Sequence, residues 1–362
     1  MTRTKLAICL GLSTLAVAGC DQVFEELLAA FADLNILGVM PADGYSDPNS
    51  ADYGRVKMAL GGEGEDGEGI APPGDDIEIE PDDGSDVEEG DWEVVPGYFE
   101  GSFVLLMDGS GSVEATDQCD MCPTDPNRLR VEAAKALALE LGACSDNMWR
   151  MSLMEFGGES TAAGMSSTDT LADWTTDAQA VADAADGLGS YLGTPLWNST
   201  FEVISALTED VGDAYYEPGD EPTDPVRELP DEIGVGLVVI SDGEDTESTR
   251  GLEEVIDKAL EAGIPVHTIG FGPASDSVDE YSNSNAVADL RTLADATGGY
   301  YGFVETVDDL PELTRAIAGA MCGGHTELYA TFTEPAASGE RVTGQVRLAG
   351  TPLSVPFAFR AP

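Results

Sequence analysis

From residue 98 onward the chain alternates short unbroken apolar runs with stretches whose apolar residues recur every three to four positions. Residues 103–107 and 235–240 are continuous apolar runs, the pattern of strands buried on both faces; residues 148–156, 266–271 and 300–304 are read as three further strands. Between them, residues 127–141 carry Ala133, Leu137 and Leu141 along one helical face. Residues 178–188, 196–208 and 285–296 also read as helices. Leu252, Val255, Ile256, Ala259 and Leu260 line one face of another, which Gly263 and Pro265 terminate. Thr306 caps a last helix bearing Leu310, Leu313 and Ile317. Strands alternating with helices predict an α/β fold, a doubly wound, mostly parallel sheet flanked by helices.

The two ends read differently. Residues 328–332, 342–348 and 353–359 form three strand patterns, which predict a small C-terminal β appendage over residues 324–362. Residues 23–31 have apolar positions near helical spacing, so residues 21–40 are expected to hold a short amphipathic segment. Residues 41–97 are rich in Gly, Pro, Asp and Glu and are expected to form an extended, unfolded acidic linker.

Charge sharpens this picture. The 362 residues carry a formal net charge of −53, and a polyanion of this kind is repelled by phosphate backbones, which excludes nucleic acid as a natural partner. Fifteen acidic and no basic side chains lie between Gly61 and Glu93, yet the rest of the chain is itself strongly acidic.

Residues 1–20 combine Arg3 and Lys5, an apolar stretch too short to span a bilayer comfortably, and Val17-Ala18-Gly19-Cys20. They resemble a bacterial lipoprotein signal peptide with its lipobox. The resemblance implies export, lipidation of Cys20, and a protein anchored on the extracytoplasmic side of a membrane. Cys119, Cys122, Cys144 and Cys322 then remain as an even set in an oxidising compartment. Helices returning from the sheet edge end at the opposite pole, where Cys144 follows the first and Cys322 ends the last, so the expected disulfides are Cys144–Cys322 and Cys119–Cys122.

The candidate chemistry sits where strands end. Asp108-Gly109-Ser110-Gly111-Ser112 follows the first apolar run, Gly193-Thr194-Pro195 precedes a helix, and Ser241-Asp242-Gly243 follows a second buried strand. Strand-to-helix loops of a doubly wound sheet share one edge, so Asp108 and Asp242 are expected to meet.

In residue type, order, spacing and strand context, Asp108, Ser110, Ser112, Thr194 and Asp242 resemble the metal-ion-dependent adhesion site of von Willebrand factor type A domains, over roughly residues 98–323. The resemblance implies a bound Mg2+, or Ca2+ or Mn2+, with an open position that an Asp or Glu of a protein partner completes. Glu244 and Asp245 are read as solvated loop residues rather than a second cation site.

Two other function classes compete with adhesion. A metal-dependent hydrolase or phosphoesterase lacks support, because the chain has no phosphate-binding loop, Ser110 has no identifiable activating base, and His267 lies in a strand as a core residue. A purely structural module would act through the linker and the β tail.

Overall fold

The computed structural model describes residues 31–42, 44–64, 69–95, 97, 101–113, 124–144, 148–158, 168–191, 193–215, 234–275, 284–304 and 307–361. In chain order these form β1 (Phe31–Pro41), β2 (Arg55–Gly64), β3 (Gly69–Ile70), β4 (Ile77–Pro81), β5 (Val87–Val95), β6 (Gly101–Asp108), α1 (Leu129–Cys144), β7 (Trp149–Phe156) and β8 (Thr168–Thr175). There follow α2 (Ala178–Ala184), α3 (Leu196–Tyr215), β9 (Gly234–Ser241), α4 (Leu252–Ala262), β10 (Val266–Gly270), α5 (Ser284–Thr297), β11 (Tyr301–Phe303), α6 (Leu310–Gly323), β12 (His325–Phe332), β13 (Arg341–Leu348) and β14 (Ser354–Arg360).

The central sheet has the order β11-β10-β9-β6-β7-β8. Its strands run parallel, apart from β8, which pairs antiparallel with β7. This is the expected doubly wound sheet. Period-two alternation divides its side chains between two helical layers. Phe103, Leu105, Met107, Val238 and Ile240 face a core shared with Leu137 of α1 and Ile317 of α6. Val104, Leu106, Leu237 and Val239 face a core shared with Ile204 of α3, Val255 of α4 and Leu290 of α5. Both layers cover β6 and β9 completely, which is why these strands read as uninterrupted apolar runs.

The expected α4 termination holds. Gly263 adopts φ 66°, and Ile264 N–H donates back to Ala259 C=O at 3.0 Å, a left-handed stop that favours glycine. Leu260, expected on the buried face, is instead 56% exposed.

The ends of the chain correct the sequence reading. Residues 41–97 are not an unfolded linker in their described parts, and residues 324–362 are not a separate appendage. Strand β12 lies between β2 and β5 in a mainly antiparallel sheet ordered β1-β2-β12-β5, with β3 on β2. Strand β13 lies between β4 and β14.

The two ends thus share one core, built from Leu34, Val56, Met58, Leu60, Ile77 and Ile79 of the first part and Leu328, Phe332, Val346, Phe357 and Phe359 of the second. Net charge hid the alternation that permits this. In Ile77-Glu78-Ile79-Glu80 the isoleucines are buried and the glutamates exposed, so acidity sits on the wet face and does not oppose folding. Phe31–Pro41 forms a strand within the expected segment 21–40; residues 21–30, which carry nearly all of the helical spacing, lie outside the described residues, as do the signal segment and Cys20.

Candidate functional site

Chain order reverses between β6 and β9, which are adjacent in the sheet, with Met107 opposite Ile240. Such a switch point opens a crevice at the carboxyl ends of the strands. Asp108 ends β6 and Asp242 immediately follows β9, so the topology alone brings them to one place.

Hydrogen bonds complete the convergence. Ser110 N–H donates to Asp108 Oδ1 at 2.7 Å, and Ser241 Oγ–H donates to Asp108 Oδ2 at 2.6 Å. The Ser110 and Ser112 hydroxyls lie 2.9 Å apart, and Ser112 Oγ–H donates to Asp242 Oδ1 at 2.8 Å. Thr124 Oγ–H donates to Asp242 Oδ2. Both carboxylates are buried, at 0% and 1% exposure.

Thr194 is buried in the adjoining loop. Its N–H donates to Thr246 Oγ1 at 3.0 Å, while its C=O accepts from Thr246 N–H at 2.9 Å, which ties it to the loop carrying Asp242. Gly193 precedes it at φ 75°; an added Cβ there would lie 2.6 Å from Glu247 Cγ and 2.8 Å from the Gly158 carbonyl. Only glycine meets both demands.

Two like charges in a dry pocket disfavour their own ionisation. Burial raises the Asp108 carboxyl above the usual range, against hydrogen bonds from Ser241 and Ser110. Burial, and then the charge of Asp108, push Asp242 up to about 7 despite bonds from Thr124 and Ser112. A cation between them would relieve this strain.

The donor set fits a hard cation: two carboxylates and neighbouring hydroxyls are all oxygen ligands. Among the described residues no three His, Cys, Asp or Glu side chains gather as a metal cluster.

Several supporting residues were not singled out from sequence. Asp125 caps α1, accepting from Leu129 N–H at 2.6 Å and Arg130 N–H at 3.1 Å. It also forms a fully buried ion pair with Arg130 at 3.1 Å, and Arg130 Nη2 reaches the Gly189 carbonyl at 2.8 Å. Glu155 accepts from Gly189 N–H and Tyr191 O–H, both at 2.7 Å. Asp245 is no solvated loop residue: it accepts from Trp197 N–H at 3.2 Å at the start of α3, and burial raises its carboxyl. The Pro-Thr-Asp-Pro stretch before α1 was the one legible capping signal among these.

His267 is a core residue, as expected. Burial, then the neighbouring His325, lower it to about 3, and its Nδ1 accepts from Tyr300 N–H at 3.3 Å. Cys322 is buried and disulfide-bonded. Cys119, Cys122 and the Cys144 side chain lie outside the described residues. No helix among the described residues is long and apolar enough to cross a membrane.

A doubly wound sheet whose switch-point edge gathers buried carboxylates and hydroxyls defines an α/β domain with an oxygen-lined binding crevice. The model of the von Willebrand factor type A domain matches residues 103–316. The chain therefore belongs to that family.

Among solved structures, a von Willebrand factor type A protein from Catenulispora acidiphila is 13% identical, over 92% of this chain and 74% of that one, with a TM-score of 0.40. The pilus adhesin SpaC from Lactobacillus rhamnosus GG is 12% identical over 85% of this chain and 47% of that one, at 0.41. The manganese-loaded Plasmodium vivax TRAP protein is 16% identical over 76% and 98%, also at 0.41. No curated protein matches the chain.

Proposed function

We propose that this is an extracytoplasmic binding protein, lipid-anchored through Cys20, that holds a divalent cation at Asp108, Ser110, Ser112, Thr194 and Asp242 and captures an acidic group of a protein partner there. The carrying observation is the hydrogen-bonded bridge from Asp108 through Ser110 and Ser112 to Asp242. Three sequence-distant loops are held at this crevice edge, two by that bridge and the third through Thr246.

The bound ion, Mg2+ or alternatively Ca2+ or Mn2+, supplies positive charge that an acidic protein otherwise lacks at this edge. Neutral hydroxyls among its ligands leave part of that charge uncompensated, so an incoming carboxylate is attracted against the protein's general negative field. Ser241 and Thr124 orient the two aspartates, and Glu155 and Asp125 fix the loops around them.

Binding is favoured over hydrolysis. Ser110 Oγ is bonded to another hydroxyl rather than to a base, and His267 lies opposite Val238, well before the carboxyl end of β9. A pull-down from membranes with and without chelator tests the proposal. Partner capture should require the metal and vanish in Asp108→Ala, whereas capture that survives chelation refutes it.

A further inference from the structure

Where the edge of the central sheet meets the β core, a cavity of about 620 Å3 opens between β1, β11, α6 and the β13–β14 pair. One side is closed by backbone packed on backbone. There β1 crosses β11 so closely that a Cβ added at Gly38 would lie 2.8 Å from the Tyr301 carbonyl oxygen, and one at Gly302 3.0 Å from that of Leu37. The opposite wall is tied together by Thr343 Oγ1–H, which donates to Asp82 Oδ2 at 2.7 Å, and by Asp82 N–H, which donates to the Thr343 carbonyl at 2.9 Å. These walls are regular strands, so the cavity is built into the seam rather than into a loop.

Its lining separates two kinds of chemistry. Leu37, Val39 and Phe357 are buried beneath it, and Leu313 and Ala316 present one face of α6 to it. The carboxylates stand at the mouth: Asp82 is exposed, as are Asp309 and Glu312 at the start of α6. A single guanidinium, that of the half-buried Arg341, faces these three acids, and the chain around them carries −53. That field favours a cation. The volume and the apolar floor with a few polar groups are those of a small-molecule pocket, and such pockets are common at seams between folded units. On the strand wall, Arg341 and Gln345 offer N–H donors to a neutral acceptor oxygen.

We infer that this cavity binds a cationic amphiphile, an apolar body bearing an ammonium group. The body covers the floor and the Leu313–Ala316 face, while the ammonium meets Asp309 and Glu312. The site is separate from the metal crevice, since β10 and β9 stand between β11 and β6 in the sheet. Its occupancy therefore needs no metal.

The test titrates the full chain, in chelator and at about 0.15 M salt to screen distant carboxylates, with monodansylcadaverine and with its N-acetylated, uncharged form. The dansyl ring brightens on leaving water. Both probes should saturate a single site, the amine roughly fivefold more tightly. Asp309→Asn combined with Glu312→Gln, both at exposed positions, should erase that preference while the acetylated probe still binds. Ala316→Trp, which fills the cavity, should abolish binding of both probes, with a thermal melt to confirm folding. Equal affinity of the two probes for the wild-type protein, absence of saturable binding, or a preference that survives the double variant overturns the inference. So does unchanged binding by a folded Ala316→Trp protein.

Discussion

Replacing Asp242 by Asn should stabilise the metal-free protein while abolishing its response to metal. In the metal-free fold the Asp242 carboxyl titrates near 7, because it is buried and faces Asp108. Keeping it ionised at pH 8 therefore costs on the order of 4 kcal/mol relative to an ordinary carboxylate. Asn removes that cost but accepts less well from Ser112 and Thr124, leaving a net gain of about 2 kcal/mol. For a protein of this size that is roughly 2–4 °C in Tm.

Metal reverses the ranking. At one hundred times its Kd, Mg2+ should stabilise the wild-type protein by about 3 kcal/mol through mass action, and the variant by almost nothing. Thermal unfolding followed by circular dichroism at pH 8, in chelator and in Mg2+, reads all four values. The reasoning is refuted if the variant is the less stable protein in chelator, or if Mg2+ stabilises both equally.

Further predictions follow from the same packing. Because folding raises the Asp242 carboxyl, its penalty is absent below about pH 4 and grows as pH rises through about 7. The excess stability of Asp242→Asn in chelator should therefore widen from pH 4 to pH 8 in a series of melts, and a constant difference would contradict the assignment. Asp125→Ala removes a helix cap and leaves Arg130 without its buried counter-charge, so urea unfolding should show a loss of about 3–5 kcal/mol. Gly193→Ala should weaken Mn2+ binding by distorting the Thr194 loop, measurable by titration. A chain begun at Tyr98 should be poorly soluble, because β12 loses both its neighbours, β2 and β5, and β13 loses β4; a monodisperse, fully folded product would argue against the shared β core.

The readable part of the fold was the part whose strands are buried on both sides. β6 and β9 announce themselves as apolar runs because helices cover both faces, and Asp108 and Asp242 could be placed together because crossover geometry leaves no choice of edge. β8 did not announce itself, since its exposed Asp169, Asp173 and Thr170 break the pattern. The β core formed from the two ends was hidden for a different reason. Pairing of β12 with β2 joins residues more than 260 positions apart, and no local signal reports it. Composition averaged over residues 41–97 registered the charge and missed the alternation in Ile77-Glu78-Ile79-Glu80. At the site, residue types with a ligand pattern were legible, whereas Thr124, Ser241, Glu155 and Tyr191 act through contacts that only the folded arrangement creates.

Anomalous diffraction from crystals soaked in Mn2+ tests the central claim most directly. A single strong peak should lie within coordinating distance of Ser110 Oγ and Ser112 Oγ, in the crevice bounded by Asp108, Thr194 and Asp242, and should disappear in Asp242→Asn. Peaks confined to surface carboxylates, with none at that crevice, would contradict it.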